Sequence, residues 1–229
     1  RLPDRIAPSG EVLGTVSPEA AERTGLSPET LVVHGIHDSN ASLLPFLIQS
    51  DEPFVLNSTG TWCVAMSPAD NAELSEADMD AGVFCNCSAF GHPVRTSIFM
   101  DGLPDFDPGV TASVLETASE FILPGVMPGT GPFPASASRL AVDGNAAALT
   151  DLQRDAAGSP VAANASRLVS VLSCGLAVQS ARQLRQTGAR DGTTIYLEGG
   201  FRRNRTYQAV LGSLFPNSPL VLTELQEAT

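Results

Sequence analysis

Three short stretches carry residue types that could do chemistry. In the first, His37-Asp38, the apolar run Leu31 to Val33 gives way through Gly35 to a series of small residues. A carboxylate at such a junction can take the proton from a hydroxyl that is attacking a phosphoryl group. It can equally cap a helix, since Asp is among the preferred capping residues. His37 beside it could orient a substrate hydroxyl or simply pack. In the second stretch, Ser58-Thr59-Gly60-Thr61, a glycine is flanked by hydroxyl residues between two apolar runs. The backbone N–H groups and hydroxyls of such a turn can converge on phosphate oxygens; an ordinary hairpin turn has the same composition. The third, Glu198-Gly199-Gly200-Phe201-Arg202-Arg203-Asn204, has paired glycines that let a ligand approach the backbone closely. It lacks the spacing of a dinucleotide fingerprint.

The elements that must position these stretches are legible in outline. Val12 to Val16 reads as a strand, and Ser17, Pro18 and Gly25 as the cap, first position and stop of a helix. Thr30 to His34 reads as a buried strand. Asn40 to Ile48 reads as a helix, with Pro45 removing a backbone donor and threatening a kink. Strands are expected at Phe54 to Asn57 and Trp62 to Met66, then at Val83 to Phe90 and Val94 to Met100 around Gly91-His92-Pro93. Short helices are expected around Thr111 to Phe121 and Asn145 to Asp155. Apolar residues at Leu168, Val171, Leu172, Leu176, Val178 and Leu184 predict a long helix from Asn164 to Gly188. A strand from Thr193 to Leu197, a helix from Asn204 to Leu214 and a strand from Leu220 to Thr223 complete an α/β order.

Composition removes several classes of function. The chain of 229 residues is 43% hydrophobic and 17% charged, enough to bury a substantial core. No apolar run is long enough to span a membrane. The net charge is -12 and every basic residue is Arg, which excludes lysine-based mechanisms and argues against a nucleic-acid surface. Cys63, Cys85, Cys87 and Cys174 are too few for a disulfide scaffold, and Cys85 and Cys87 read as strand cysteines rather than metal ligands. No metal-ligating set is expected. Trp62 reads as a core residue rather than a base-stacking one, and Arg202, Arg203 and Arg205 as a solvated face.

The order acid, hydroxyl-glycine turn, glycine pair with a following Asn resembles the FGGY carbohydrate kinases. The residues that carry the resemblance are Asp38, Ser58-Thr59-Gly60-Thr61, and Gly199, Gly200 and Asn204. "STGTW" at 58–62, together with His37, Asp38 and Ala41, looks most like the rhamnulose and fuculose kinases within that family. The resemblance implies an actin-like, ribonuclease-H-like α/β fold with a mixed sheet flanked by helices and a β-hairpin insertion. It implies ATP and Mg2+ as cofactors, a sugar (ketose) as substrate and Asp38 as the base. The hydroxyl-glycine turn would lie on the phosphates, and Gly199, Gly200 and Asn204 on the adenosine.

Family members are longer and open with a D-x-G-T turn that this chain does not show; "RDGTT" at 190–194 precedes the third motif and reads as a turn into a strand. The chain is therefore expected to be an internal fragment. Residues 1–51 would be the end of the N-terminal, sugar-binding domain, and residues 52–229 most of the C-terminal, nucleotide-binding domain. As a fragment it would be inactive. The expected location is the cytoplasm, with no nucleic-acid or membrane partner and a homodimer as one compatible assembly. Two other readings stay open: a phosphotransferase of the same superfamily with a non-sugar acceptor, and a non-catalytic nucleotide-binding protein of kinase descent.

Overall fold

The computed structural model describes residues 8–60, 62–99, 120–122, 139–142, 145–148 and 165–223. Its centre is a six-stranded sheet in the order β11-β10-β3-β4-β6-β5. The strands are β3 (Phe54–Thr59), β4 (Cys63–Pro68), β5 (Val83–Cys87), β6 (Pro93–Phe99), β10 (Thr194–Gly199) and β11 (Leu220–Leu222). β10 lies parallel to both β3 and β11, and the remaining neighbours are antiparallel. The sheet is therefore mixed: a parallel α/β part is extended by two hairpins, β3–β4 and β5–β6.

Period-two alternation sends the strand side chains to two different helix layers. Leu56 and Phe54 of β3, with Val64 and Met66 of β4, pack under Leu43 and Phe46 of α2 (Asp38–Gln49). Val55, Cys63, Ala65, Ile195 and Leu197 face the other way. There they meet α4 (Ala165–Thr187) and α5 (Arg205–Leu214) through Val171, Leu176, Leu184, Tyr207 and Leu211. α4 buries Val171, Leu172, Leu176 and Leu184 of the predicted apolar set, whereas Val178 falls on the solvent side at 41% exposure. α2 continues through Pro45.

The first helix, α1 (Pro18–Thr24), has the expected ends: the Ser17 side chain accepts from the Ala20 N–H, and Gly25 adopts φ 76°. It joins β1 (Val12–Thr15) to β2 (Leu31–Val33), an antiparallel ribbon. Here the expectation of a buried strand fails, because Leu31 is 60% exposed and Val33 47%. An apolar run specifies a strand, but burial needs a second layer, and none among the described residues packs on this ribbon.

The expectation of helix around 111–121 and 145–155 also fails wherever the chain is described. β7 (Glu120–Ile122), β8 (Arg139–Val142) and β9 (Asn145–Ala148) form a separate antiparallel sheet. Alanine favours helix, but cross-strand pairing overrides propensity. The missed signal was Asp143-Gly144, the two residues between the paired Val142 and Asn145. Asn164 lies outside the described residues, as do 111–119 and 149–155. Among the described residues no helix is long and apolar enough to cross a membrane.

Candidate functional site

β3 and β10 end side by side, with Thr59 the register partner of Gly199. This brings the hydroxyl-glycine turn and the glycine pair together. One side chain joins them: Thr59 Oγ1 donates to the Glu198 carbonyl at 2.6 Å and accepts from the Phe201 N–H at 3.1 Å. Thr59 is fully buried, so its hydroxyl is consumed in this staple. Ser58 and Gly60 are half-buried beside it, and the Gly60 N–H bonds the Trp62 carbonyl at 3.0 Å across the turn. Thr61 lies outside the described residues.

The glycine pair is two different positions. Gly199 has φ 81° and ψ −156°, a region essentially reserved for glycine. Gly200 opens a 3-10 turn through Arg203. A Cβ on Gly200 would meet only the Thr59 carbonyl oxygen, at 3.9 Å. The backbone between the two turns is thus bare of side chains, which suits the approach of a flat or phosphate-bearing ligand.

Asn204 caps α5. Its Oδ1 accepts from the Tyr207 N–H at 3.0 Å, and its Nδ2 donates to Ser173 Oγ on α4 at 2.7 Å. The cap therefore also fixes the spacing of the two helices. Arg203 and Arg205 are exposed, as expected, whereas Arg202 is half-buried and donates to the Thr223 carbonyl at 2.9 Å.

Asp38 is not the cap of α2. His37 is the cap residue, and Asp38 is the first helical residue. Asp38 Oδ1 accepts from the Ser39 N–H at 2.6 Å and lies 2.8 Å from His37 Nδ1. The Ser39 N–H is farther from His37 Nδ1, at 3.3 Å. The protonated Nδ1 donating to the carboxylate is the arrangement that satisfies the shortest distances. Both side chains remain about 70% exposed, so the carboxylate is held by one side and open on the other. A negative charge in the first turn is also favoured by the helix dipole.

The path of α2 places this carboxylate relative to the two turns. Only Ser50 to Pro53 separate α2 from β3, so the helix runs back along the strand. Near its C-terminal end Phe46 packs on Phe54 and Tyr196, with ring centroids 6.2 and 4.5 Å apart. Its N-terminal turn, with His37 and Asp38, lies at the opposite end of the helix from this aromatic contact.

Two supports were invisible in the sequence. Gln183 of α4 donates to the carbonyls of Cys63 (3.0 Å) and Ser97 (2.7 Å), fixing the base of the β3–β4 hairpin. Asn57 donates to the Tyr207 hydroxyl at 2.7 Å; burial pushes that phenol well above its ordinary range, more than its hydrogen bonds lower it. Both are long-range pairs with no local spacing to announce them. Trp62 departs from the expected core position and is 50% exposed at the hairpin tip. Cys63, Cys85, Cys87 and Cys174 are free thiols. Among the described residues no group of three His, Cys, Asp or Glu could hold a metal ion.

A family model described as "Carbohydrate kinase FGGY, C-terminal domain" matches residues 51–229. Among solved structures, the chain is similar to a carbohydrate kinase from Novosphingobium aromaticivorans, with 27% identity and a TM-score of 0.71, over 96% of this chain and 48% of that one. It shares its fold with a xylulose kinase from Rhodospirillum rubrum at 18% identity and a TM-score of 0.66, covering 97% of this chain and 45% of that one. It also shares it with Plasmodium falciparum glycerol kinase with ADP, at 12% identity and a TM-score of 0.67, over 96% and 44% of the two chains. The chain thus spans about half the length of these structures. A comparison with curated protein sequences found no match.

Proposed function

Because the chain belongs to the FGGY carbohydrate kinase family, we propose that it is the nucleotide-handling part of a kinase that transfers the γ-phosphoryl group of ATP to a ketose hydroxyl. The observation that carries this reading is the staple at the end of the sheet, where Thr59 joins the two glycine turns, together with the open carboxylate of Asp38 at the start of the helix that leads into β3. Asp38 accepts the proton of the attacking hydroxyl, and the His37 Nδ1 bond holds the carboxylate in place. The half-buried Ser58 and Gly60, with Thr61, line the phosphates. Thr59 braces that turn from behind. Gly199, Gly200 and Asn204 border the nucleoside. When bound, ATP would supply the phosphoryl group, and Mg2+ would offset its charge.

Residues 1–51 belong in this reading to the sugar-binding domain and residues 52–229 to the nucleotide-binding domain. The remaining sugar contacts come from outside this chain, so the chain alone does not turn over. "STGTW" and the His37-Asp38 pair favour a ketose of the rhamnulose or fuculose kind, and the cytoplasm is the proposed location.

The test is Asp38→Asn in the full-length gene product, assayed with ATP and a ketose panel. The expected loss in kcat is on the order of 10²- to 10⁴-fold. Because the side chain is exposed and at the first helical position, stability should fall by less than about 1 kcal/mol. A variant that keeps most of its turnover overturns the assignment. A wild-type protein that binds ATP without phosphorylating any acceptor supports the non-catalytic reading instead.

A further inference from the structure

Trp62 is the sole tryptophan of the chain, and half of it is open to solvent beside the phosphate-side turn. Its direction follows from the hairpin ladder. Thr59 pairs with Cys63, and both are fully buried, Cys63 in the core shared with α4 and α5. The bond from the Gly60 N–H to the Trp62 carbonyl adds one more step beyond that pair. Successive strand residues face opposite ways, so carrying the alternation of β4 back by one residue assigns Trp62 to the α2 face, opposite Cys63. That is the face whose helix begins with His37 and Asp38. Asn204, by contrast, is tied to Ser173 and Tyr207 on the α4–α5 side. On this alternation Trp62 and α2 lie on one side of the sheet and Asn204 on the other.

We propose that Trp62 is a specificity-determining platform for the acceptor, on which the C–H face of a sugar packs while one of its hydroxyls is presented to Asp38. An indole face carries negative quadrupole density, and the polarised C–H bonds of a carbohydrate ring or chain complement it. A large, stiff, amphipathic side chain also orders a flexible acceptor at low entropic cost. The inference rests on the phosphotransferase reading and adds to it the group that selects the substrate class.

The experiment uses the full-length gene product as wild type, Trp62→Phe and Trp62→Ala. The fluorescence difference between wild type and Trp62→Phe isolates the emission of this indole. It is titrated with a panel of ketoses and polyols and, separately, with ADP. The expected result is a saturable change with an acceptor and little change with ADP. In turnover, Trp62→Ala should raise the acceptor KM roughly tenfold while the KM for ATP stays within about twofold. Trp62→Phe, which keeps an aromatic face, should recover most of that loss.

A signal that responds to ADP and not to acceptors overturns the proposal, and so does a KM rise for ATP alone. If ketoses are phosphorylated and neither the emission nor the acceptor KM depends on Trp62, the platform fails and the kinase reading stands. If wild type neither binds nor phosphorylates any acceptor, the kinase reading fails and the platform with it.

Discussion

At the scale of single residues, the site shows how one side chain can carry less chemistry and more structure than its motif suggests. The Ser-Thr-Gly-Thr pattern marked a turn between two strands, but periodicity cannot say which hydroxyl faces inward until the partner strand is known. Register with β10 makes Thr59 the inward one and turns Ser58 toward α2. Asp38 was legible as a residue at a strand-to-helix junction; its place one residue inside the cap was not, because the extended backbone of His37 takes the cap position while the Asp38 carboxylate itself accepts the Ser39 N–H. The glycine pair gives a sharp test. Gly199→Ala forces a side chain into φ 81°, ψ −156°, and should cost about 1–3 kcal/mol in urea unfolding. Gly200→Ala enters a helical turn with open space for the new methyl and should stay within about 0.5 kcal/mol of wild type. Equal costs at the two positions would refute the conformational assignment.

At the scale of elements, the helices with their own caps were legible, and the short strands between 120 and 148 were not. Ser17, Pro18 and Gly25 act within a few residues of each other, so sequence carries them. β8 and β9 exist only by pairing, and their alanines give no local sign of it. The same contrast appears around α3 (Glu76–Asp80), where a local capping box between Ser75 and Asp78 is completed from afar. Arg95 of β6 ion-pairs with Asp78 and donates to the Gln186 carbonyl at the end of α4. The Arg95 hydrogen bond, and then the Ser75 backbone and hydroxyl bonds, lower the Asp78 carboxyl from its ordinary 3.8 to about 2. A lowered carboxyl stabilises the fold in its charged form. Its contribution is complete above about pH 3.8 and is lost as the pH falls through about 2. Urea midpoints of wild type and Asp78→Asn should therefore differ by a constant amount above that window and converge below it. Curves that stay parallel down to the lowest pH would remove the carboxylate from the account.

At the scale of the whole molecule, the α/β layering followed from the alternation of apolar runs, while the exposure of β2 did not. An apolar strand reads the same whether its covering layer is present or not. The layering orders the thiols: Cys63 is fully buried between sheet and helices, Cys174 is half-buried with its thiol pushed up by burial, and Cys87 is exposed on the edge strand. Native-state alkylation followed by mass spectrometry should label Cys87 first and Cys174 later, with Cys63 reacting only through global opening. Labelling of Cys63 at the pace of Cys87 would contradict the packing of α4 on β4. The Thr59 staple has a further consequence, for how the chain assembles. It joins residues 139 apart in sequence, so the centre of the sheet forms only after a very long loop has closed. Such non-local pairing slows folding. Yet closure entropy grows only logarithmically, by about 0.6 kcal/mol per doubling of length. A change in the number of residues between the two stapled turns therefore alters the closure cost little, so the staple itself tolerates insertions in the chain it encloses.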